Sequence, residues 1–423
     1  YSIYIVFLCN FAVEMNKATI DFIREHADED VRLLALQARK NPEVDITYAL
    51  EQIAGRQKAK MKLPSWAKVD GLVYPPHISM EQCSSELTAK YKAEVVTQGS
   101  GTAVTSAPSH RYQTLSDDHF VDLTGGFGVD FSFIAKKFKH AIYVERQNHL
   151  CAITSGNFRL LGLDNAEVVN ADGIEYLHQM DNVDLIFIDP ARRDDHGGRT
   201  YGIADCTPNV LEVMEELMQK TGMLLLKLSP MLDWRKALKD IGGVSEVHIV
   251  SVDNECKELL IMVKHDVQPI KVVCVNLLSN GEREVFEFIA SDSERAQKCL
   301  TSLRPFLYEP NASIMKAGCF DEIQAKFPVA QLDNNSHLFV SDHEVPDFPG
   351  RQFEILRSTS MNKRELKDAL ADIDKANIAV RNFPLSVAEL RKKLKLNDGG
   401  DVFIFATTVA KEGHQLFICR KIG

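Results

Sequence analysis

The chain has 423 residues, 45% of them apolar and 26% charged, with a formal net charge of −10. That length exceeds one ordinary domain, so about two to four domains are expected, and the composition is that of a soluble globular protein rather than a disordered one. The acidic balance excludes a uniformly basic nucleic-acid coat, although charge can still be segregated along the chain. Nine cysteines stand singly, with no C-x-x-C pair and no Cys/His cluster at metal spacing, which predicts reduced thiols in a cytoplasmic protein and no metal.

Residues Tyr1 to Glu14 are apolar, but they lack a basic leading segment and a cleavage site and are too short to span a bilayer. They read as read-through ahead of Met15, and no other stretch approaches a membrane span. Residues 15–96 read as a helical region, with apolar residues at three-and-four spacing (Ile20, Ile23, Val31, Leu34, Ala49, Ile53) and a further helix at Ser79–Ala93. Residues 97–116 are small and polar and read as a connector.

From residue 117 the pattern alternates strand and helix. The apolar run His119–Leu123 passes through Gly125, Gly126 and Gly128 into an expected amphipathic helix, Phe131–Phe138. Further strands at Ala141–Val144, Glu167–Asn170, Val183–Ile188 and Met223–Leu228 follow. Two more, Glu246–Val252 and Glu258–Val263, form a hairpin, so the last strand enters an otherwise parallel sheet antiparallel. The fold class is α/β: a Rossmann-like seven-stranded sheet, the N-terminal helical region, and small C-terminal α+β domains. In the first of these, a hairpin around Asn280-Gly281 precedes helices at Ala296–Leu303 and Ala312–Phe327 and a strand at His337–Ser341. Pro346–Gly350 reads as a linker. The last unit reads strand (Gln352–Ser358), helix (Asn362–Ile373), strand (Ala376–Arg381), helix (Ser386–Lys395) and two strands, with Ser386 and Glu389 as a capping box.

Four successive strands end in an acid at one sheet edge, where open α/β sheets bind ligands. They are Asp122, Glu145 (23 residues later), Asp172 with Gly173, and Asp189 with Pro190. Glu145 stands where a carboxylate accepts hydrogen bonds from both hydroxyls of a ribose, and Asp172 where it would accept from the exocyclic amine of an adenine. Asp122, Thr124, Gly126 and Gly128 would approach the rest of the ligand, with Arg146 and Gly173 beside the acids completing the set. Taken singly, each acid reads equally as a helix cap or a surface carboxylate. A dinucleotide would set pyrophosphate on the helix N-terminus, where Asp130 would oppose it. S-adenosylmethionine bears no phosphate and carries a sulfonium charge, which suits an acid-lined edge, so the residues favour a methyl donor over NAD.

Asp122-x-x-x-Gly126-x-Gly128, Glu145, Asp172 and Asp189-Pro190 resemble the motifs of class I S-adenosylmethionine-dependent methyltransferases over residues 117–266. The wider layout resembles a bacterial group of these enzymes with a ferredoxin-like domain (267–345 here) and a C-terminal THUMP-like domain (349–423). The stretches that carry this are Gln82–Glu86 with Thr88-Ala89 and Tyr91–Ala93, Lys227–Asp233, and Arg381–Leu385. Since THUMP modules bind RNA in other methyltransferases, the resemblance implies an RNA substrate, a tRNA or rRNA base.

Base-methylating enzymes are similar to one another in an acid or Asn, two prolines and an aromatic residue. Here Asp189 and Pro190 match, Ala191 replaces the second proline and Arg192 stands in the aromatic position. Asp189, Pro190 and Arg192 are therefore the expected catalytic set, and Arg193 and Tyr201 candidate substrate contacts; a guanidinium plane can stack on a base or grip phosphate. Residues 349–423 hold 14 Lys and Arg against nine Asp and Glu, and Arg381, Arg391, Lys392, Lys393 and Lys395 gather at one helix, a candidate RNA-backbone surface. The competing readings are a solvated helix face, a non-catalytic RNA-binding protein, an NAD-linked oxidoreductase, or a methyltransferase of proteins or small molecules.

Overall fold

The computed structural model describes residues 16–37, 42–99, 118–192, 202–265, 269–290 and 304–422. The Tyr1–Glu14 stretch, most of the 97–116 connector, Arg193, Tyr201 and the expected helix at Ala296–Leu303 lie outside them. The chain forms two compact units, Tyr1–Val247 with Glu258–Gln268, and His248–Lys257 with Pro269–Gly423.

Among the described residues the first unit begins with the α-helices α1 (Lys17–Glu25), α2 (Val31–Gln37), α3 (Ile46–Lys62), α4 (His77–Gln82) and α5 (Glu86–Gly99). Asn16 and Asp45 cap α1 and α3 by accepting from the backbone N–H of Thr19 and Tyr48. The single helix expected at Ser79–Ala93 is broken in two. Cys83 turns extended, and the Ser85 hydroxyl accepts from Thr88 N–H (3.3 Å) to start α5 afresh. The break leaves Ser84 buried.

The alternating region follows as β1 (His119–Asp122), α6 (Val129–Ile134), β2 (His140–Glu145), α7 (Asn148–Leu160), β3 (Ala166–Asn170), α8 (Gly173–Gln179), β4 (Val183–Ile188), the two-residue strands β5 (Ala191–Arg192) and β6 (Cys206–Thr207), α9 (Met214–Lys220), β7 (Thr221–Leu228), α10 (Trp234–Ile241), β8 (Val244–Val252) and β9 (Glu255–Lys264). These strands lie in the order β8-β9-β7-β4-β1-β2-β3 within a nine-stranded sheet, two strands more than the seven expected. Strands β3, β2, β1, β4 and β7 run parallel and β9 lies antiparallel to β7, as the sequence predicts. Runs such as Leu185–Ile188 and Leu224–Leu226 are buried because helices cover both faces of a parallel sheet. The expected amphipathic helix at Phe131–Phe138 is instead the short α6. Every residue from Val129 to Ala135 is buried, because α5 packs on the side that would otherwise meet solvent. Beneath it Phe120, Phe131, Tyr143 and Phe158 form one ring cluster.

In the second unit β10 (Lys271–Leu277) and β11 (Arg283–Ile289) pair antiparallel around the Asn280-Gly281 turn. Then come β12 (Phe306–Pro310), α11 (Ala312–Ala317), α12 (Phe320–Lys326), β13 (Ala330–Gln331), β14 (Phe339–Ser341), β15 (Gly350–Ser360), α13 (Lys363–Ala369), β16 (Asn377–Arg381), α14 (Val387–Leu394), β17 (Val402–Val409) and β18 (Gly413–Ile422). Gly318, left-handed at φ 65°, splits the helix expected at Ala312–Phe327. The expected linker is no linker: Phe348 is buried against the rings of Tyr308, Phe327 and Phe339, and β12 pairs with β15 across it. One seven-stranded sheet, β13-β14-β12-β15-β18-β17-β16, results. The Ser386/Glu389 capping box opens α14 as expected.

Candidate functional site at the carboxyl edge of the sheet

The sequence-predicted acids converge where β1, β2 and β4 end, with Asp172 two residues past β3. Asp122, the last residue of β1, is buried, and its Oδ1 accepts from the N–H (2.9 Å) and hydroxyl (3.4 Å) of Thr124. Burial pushes its carboxyl well above the usual range, against the pull of the Thr124 amide and with the charge of Asp130 adding to it. The Thr124 hydroxyl also accepts from the backbone N–H of Asp189 (2.7 Å), which ties the β1 turn to the end of β4. Gly126 and Gly128 hold φ of 55° and 75°, which only glycine adopts without strain. A Cβ on Gly128 would also meet Phe158 at 2.6 Å.

Glu145 is buried and its two oxygens accept from Gly126 N–H (2.9 Å) and Gln147 N–H (2.8 Å). A carboxylate has about four acceptor positions, so both oxygens keep capacity for a ligand. Asp172 caps α8, its Oδ1 accepting from Ile174 N–H (2.9 Å) and Glu175 N–H (3.3 Å). Gly173 beside it has no room for a side chain, since a Cβ would fall 2.1 Å from the carbonyl oxygen of Leu123. Arg146 is exposed next to Glu145. Pro190 is buried behind Asp189. Arg192 is described by its backbone alone, in β5.

Asp130 does not face a ligand, which corrects its role in the case against a dinucleotide. It is buried, and burial opposes its charge, but Lys92 and Lys227 more than offset that and hold its carboxyl below the usual range. Lys227 Nζ lies 3.3 Å from Asp130 Oδ2 and 2.5 Å from Asp189 Oδ2. Burial works against the ammonium too, yet Asp189 and Asp130 keep it charged well past its ordinary range. Ser84 donates to Asp130 Oδ2 (2.7 Å), and fully buried Lys92 lies 3.2 Å from Asp130 Oδ1 and 2.5 Å from Glu258 Oε1.

Sequence reasoning missed Ser84, Lys92, Lys227 and Glu258 as members of this site. A signal was present: a lysine inside the apolar run Met223–Leu228 has to find an acid once buried. A cavity of about 320 Å³ lies at the opposite edge, lined by Asp118, Lys137, Asp184, Met223 and Lys264 among others. It contains none of the carboxyl-edge acids, and α/β sheets bind at the edge those acids occupy.

On the second unit, Arg391 spends its guanidinium inside the fold, on the carbonyls of Ala376 (2.9 Å) and Asn397 (2.8 Å) and on Asp398 (2.5 Å). Arg381 pairs with the buried Glu309 at 2.6 Å. Lys392, Lys393 and Lys395 are exposed at the end of α14. Among the described residues no group of three or more His, Cys, Asp or Glu is arranged to hold a metal ion, and no helix is long and apolar enough to cross a membrane.

The family of THUMP-like domains matches residues 350–421, and a family of ferredoxin-like domains matches residues 306–349. These adjoining matches share the seven-stranded sheet. The solved structure of a "putative methyltransferase" from Porphyromonas gingivalis W83 superposes with a TM-score of 0.82 at 29% identity, covering 96% of this chain and 98% of that one. An rRNA methylase from Streptococcus thermophilus matches 36% of this chain and 88% of its own at 19% identity and a TM-score of 0.27. A SAM-dependent methyltransferase from Agrobacterium tumefaciens matches 43% and 61% at 15% identity and 0.29. No protein of curated function matches the sequence.

Proposed function

We propose that this chain, built on the class I methyltransferase fold and carrying the ferredoxin-like and THUMP-like domains of that group, moves a methyl group from S-adenosylmethionine to a base of RNA. The observation that carries this reading is the convergence of the Thr124–Gly128 turn, Glu145 and Asp189 at the carboxyl ends of neighbouring parallel strands.

The residues suit the cofactor. Glu145 retains acceptor capacity on both oxygens for the ribose hydroxyls, and Asp172 keeps Oδ2 for an adenine amine while Oδ1 caps α8. Gly126 and Gly128, both left-handed, carry no side chain and let a ligand approach the backbone there. Acids at this edge favour a cationic sulfonium over a phosphate. When bound, the donor would supply an activated methyl group, with the carbon–sulfur electron pair left on sulfur as the acceptor's lone pair takes the methyl carbon. Asp189 then has two tasks: to accept a hydrogen bond from the acceptor and to draw off the proton that an N–H nucleophile sheds. Positioning of this kind supplies much of the acceleration in a direct displacement. The RNA part of the reading is supported by the THUMP-like match and by the surplus of basic residues in 349–423.

Isothermal titration of the full chain tests the cofactor, with S-adenosylhomocysteine binding and NAD not. Incubation with methyl-tritiated S-adenosylmethionine and total RNA from cells lacking this protein tests the activity, with label expected in an RNA nucleoside. Binding of NAD alone overturns the cofactor assignment. Binding of S-adenosylhomocysteine without labelled RNA overturns the substrate.

A further inference from the structure

Five charged side chains form a line through the first unit: Glu258, Lys92, Asp130, Lys227 and Asp189. Their separations are 2.5 Å between Glu258 and Lys92, 3.2 Å between Lys92 and Asp130, 3.3 Å between Asp130 and Lys227, and 2.5 Å between Lys227 and Asp189. The signs alternate without a break. Exposure rises along the line, from 4% and 0% for the side chains of Glu258 and Lys92 through 10% and 12% for Asp130 and Lys227 to 38% for Asp189. Three acids against two lysines leave one negative charge in excess, and Asp189 is the member that hydration can support as an ion. A cluster that only stabilised the core would have no need to end in an open carboxylate beside the glycine turn.

We propose that Lys227 is the positioning residue for Asp189, taking its Oδ2 and leaving Oδ1 presented to the group being methylated, with Lys92 and Asp130 holding the ammonium from behind. This rests on the methyl-transfer reading above. Asp189 is fixed at two points, its backbone N–H on Thr124 (2.7 Å) and its Oδ2 on Lys227 (2.5 Å), which leaves one oxygen of defined direction. The N-terminal helices are thereby part of the site, because Lys92 and Ser84 reach Asp130 from α5 and the turn before it. Two of the stretches that identify the group in sequence, Gln82–Ala93 and Lys227–Asp233, thus contribute to one charge line.

The test uses the full chain with Lys227→Met and Lys227→Arg. The Met variant is expected to bind S-adenosylhomocysteine within about twofold of the parent. Its kcat for labelling total RNA should fall at least about tenfold, with KM for S-adenosylmethionine unchanged. The Arg variant, which keeps a donor and a charge, should recover part of that kcat. An unchanged kcat in the Met variant overturns the proposal, and so does a parallel loss of cofactor affinity and activity, which would make Lys227 a cofactor contact.

A second arm needs neither activity nor a foldable Lys227 variant. In ¹⁵N-lysine-labelled protein, the Lys227 ammonium should exchange slowly at pH 7, and its resonance should move in Asp189→Asn. The same resonance in both proteins overturns the pair. A parent protein that labels no RNA while this resonance moves overturns the substrate reading and leaves the ion pair standing.

Discussion

Lys92 of α5 and Glu258 of β9 stand 2.5 Å apart with both side chains almost wholly removed from solvent. Breaking a buried pair strands the remaining charge, at a typical cost of about 3–5 kcal/mol, whereas removing both charges is often near neutral. Lys92→Met is therefore expected to lower unfolding free energy by about that amount, and adding Glu258→Leu should restore a large share of it. Urea unfolding of the single and double variants at constant m-value measures both. A single variant within about 1 kcal/mol of the parent would show that Lys92 is solvated in solution.

Asp122 gives a pH signature. Burial raises its folded pKa well above the ordinary 3.8, so the folded state holds a proton there that the unfolded state has released. Stability contributed by that proton is full below the unfolded value and falls as pH rises from about 3.8 through the raised folded value. Asp122→Asn keeps an oxygen for the Thr124 N–H and removes the charge. Its unfolding free energy should exceed that of the parent at pH 8, and the difference should shrink toward pH 4. Denaturant melts at the two pH values check the sign. A variant less stable at pH 8 than the parent would mean that Asp122 is ionised and satisfied.

The architecture was legible because its signals are local: apolar runs, the glycine turn, the Asp253-Asn254 hairpin and the Ser386 capping box all act within a few residues. The antiparallel last strand followed from that hairpin alone, with Asp253 and Asn254 both at positive φ. What escaped depended on distant partners. The burial of α6 comes from α5, 30 and more residues earlier. Phe348 belongs to a core that Pro346 and Pro349 disguise as a linker. At the site, the acids could be read as strand ends, but Arg391 looked like a free cation until the carbonyls of Ala376 and Asn397 came to it. Lys227 could be seen as odd in its strand; its partners, 97 and 38 residues away, could not.

Asp172 has two separable roles, and two substitutions divide them. Asp172→Ala removes the α8 cap, a loss of about 0.5–2 kcal/mol, together with the acceptor offered to adenine. Asp172→Asn retains a capping oxygen but puts an amide donor where an acceptor is needed. The Asn variant should melt near the parent temperature and bind S-adenosylhomocysteine about 1–3 kcal/mol more weakly, while the Ala variant loses both. Calorimetry of both against scanning fluorimetry decides it. Unchanged affinity in the Asn variant would leave Asp172 a helix cap alone.

The basic end of α14 can now be tested with the right residues. Arg391 serves the fold, so neutralising it would confound RNA affinity with stability. Lys392, Lys393 and Lys395 are exposed, and Lys395 closes the helix in a left-handed conformation, where its side chain leaves the helix end. Residues 349–423 carry five positive charges in excess within a chain of net −10, so the remainder is at −15 and repels phosphate. If RNA docks on this unit through its backbone, changing the three lysines to Gln should weaken binding of unrelated RNA sequences alike. For every phosphate that is no longer neutralised, the dependence of log affinity on log salt should also flatten by about 0.7–0.9. Lys395→Asn, which tolerates the left-handed position, separates loss of charge from strain at the cap. Filter binding from low to physiological salt gives both affinity and slope. Unchanged slope in the triple variant would make these lysines a solvated helix end and move the RNA surface elsewhere on the chain.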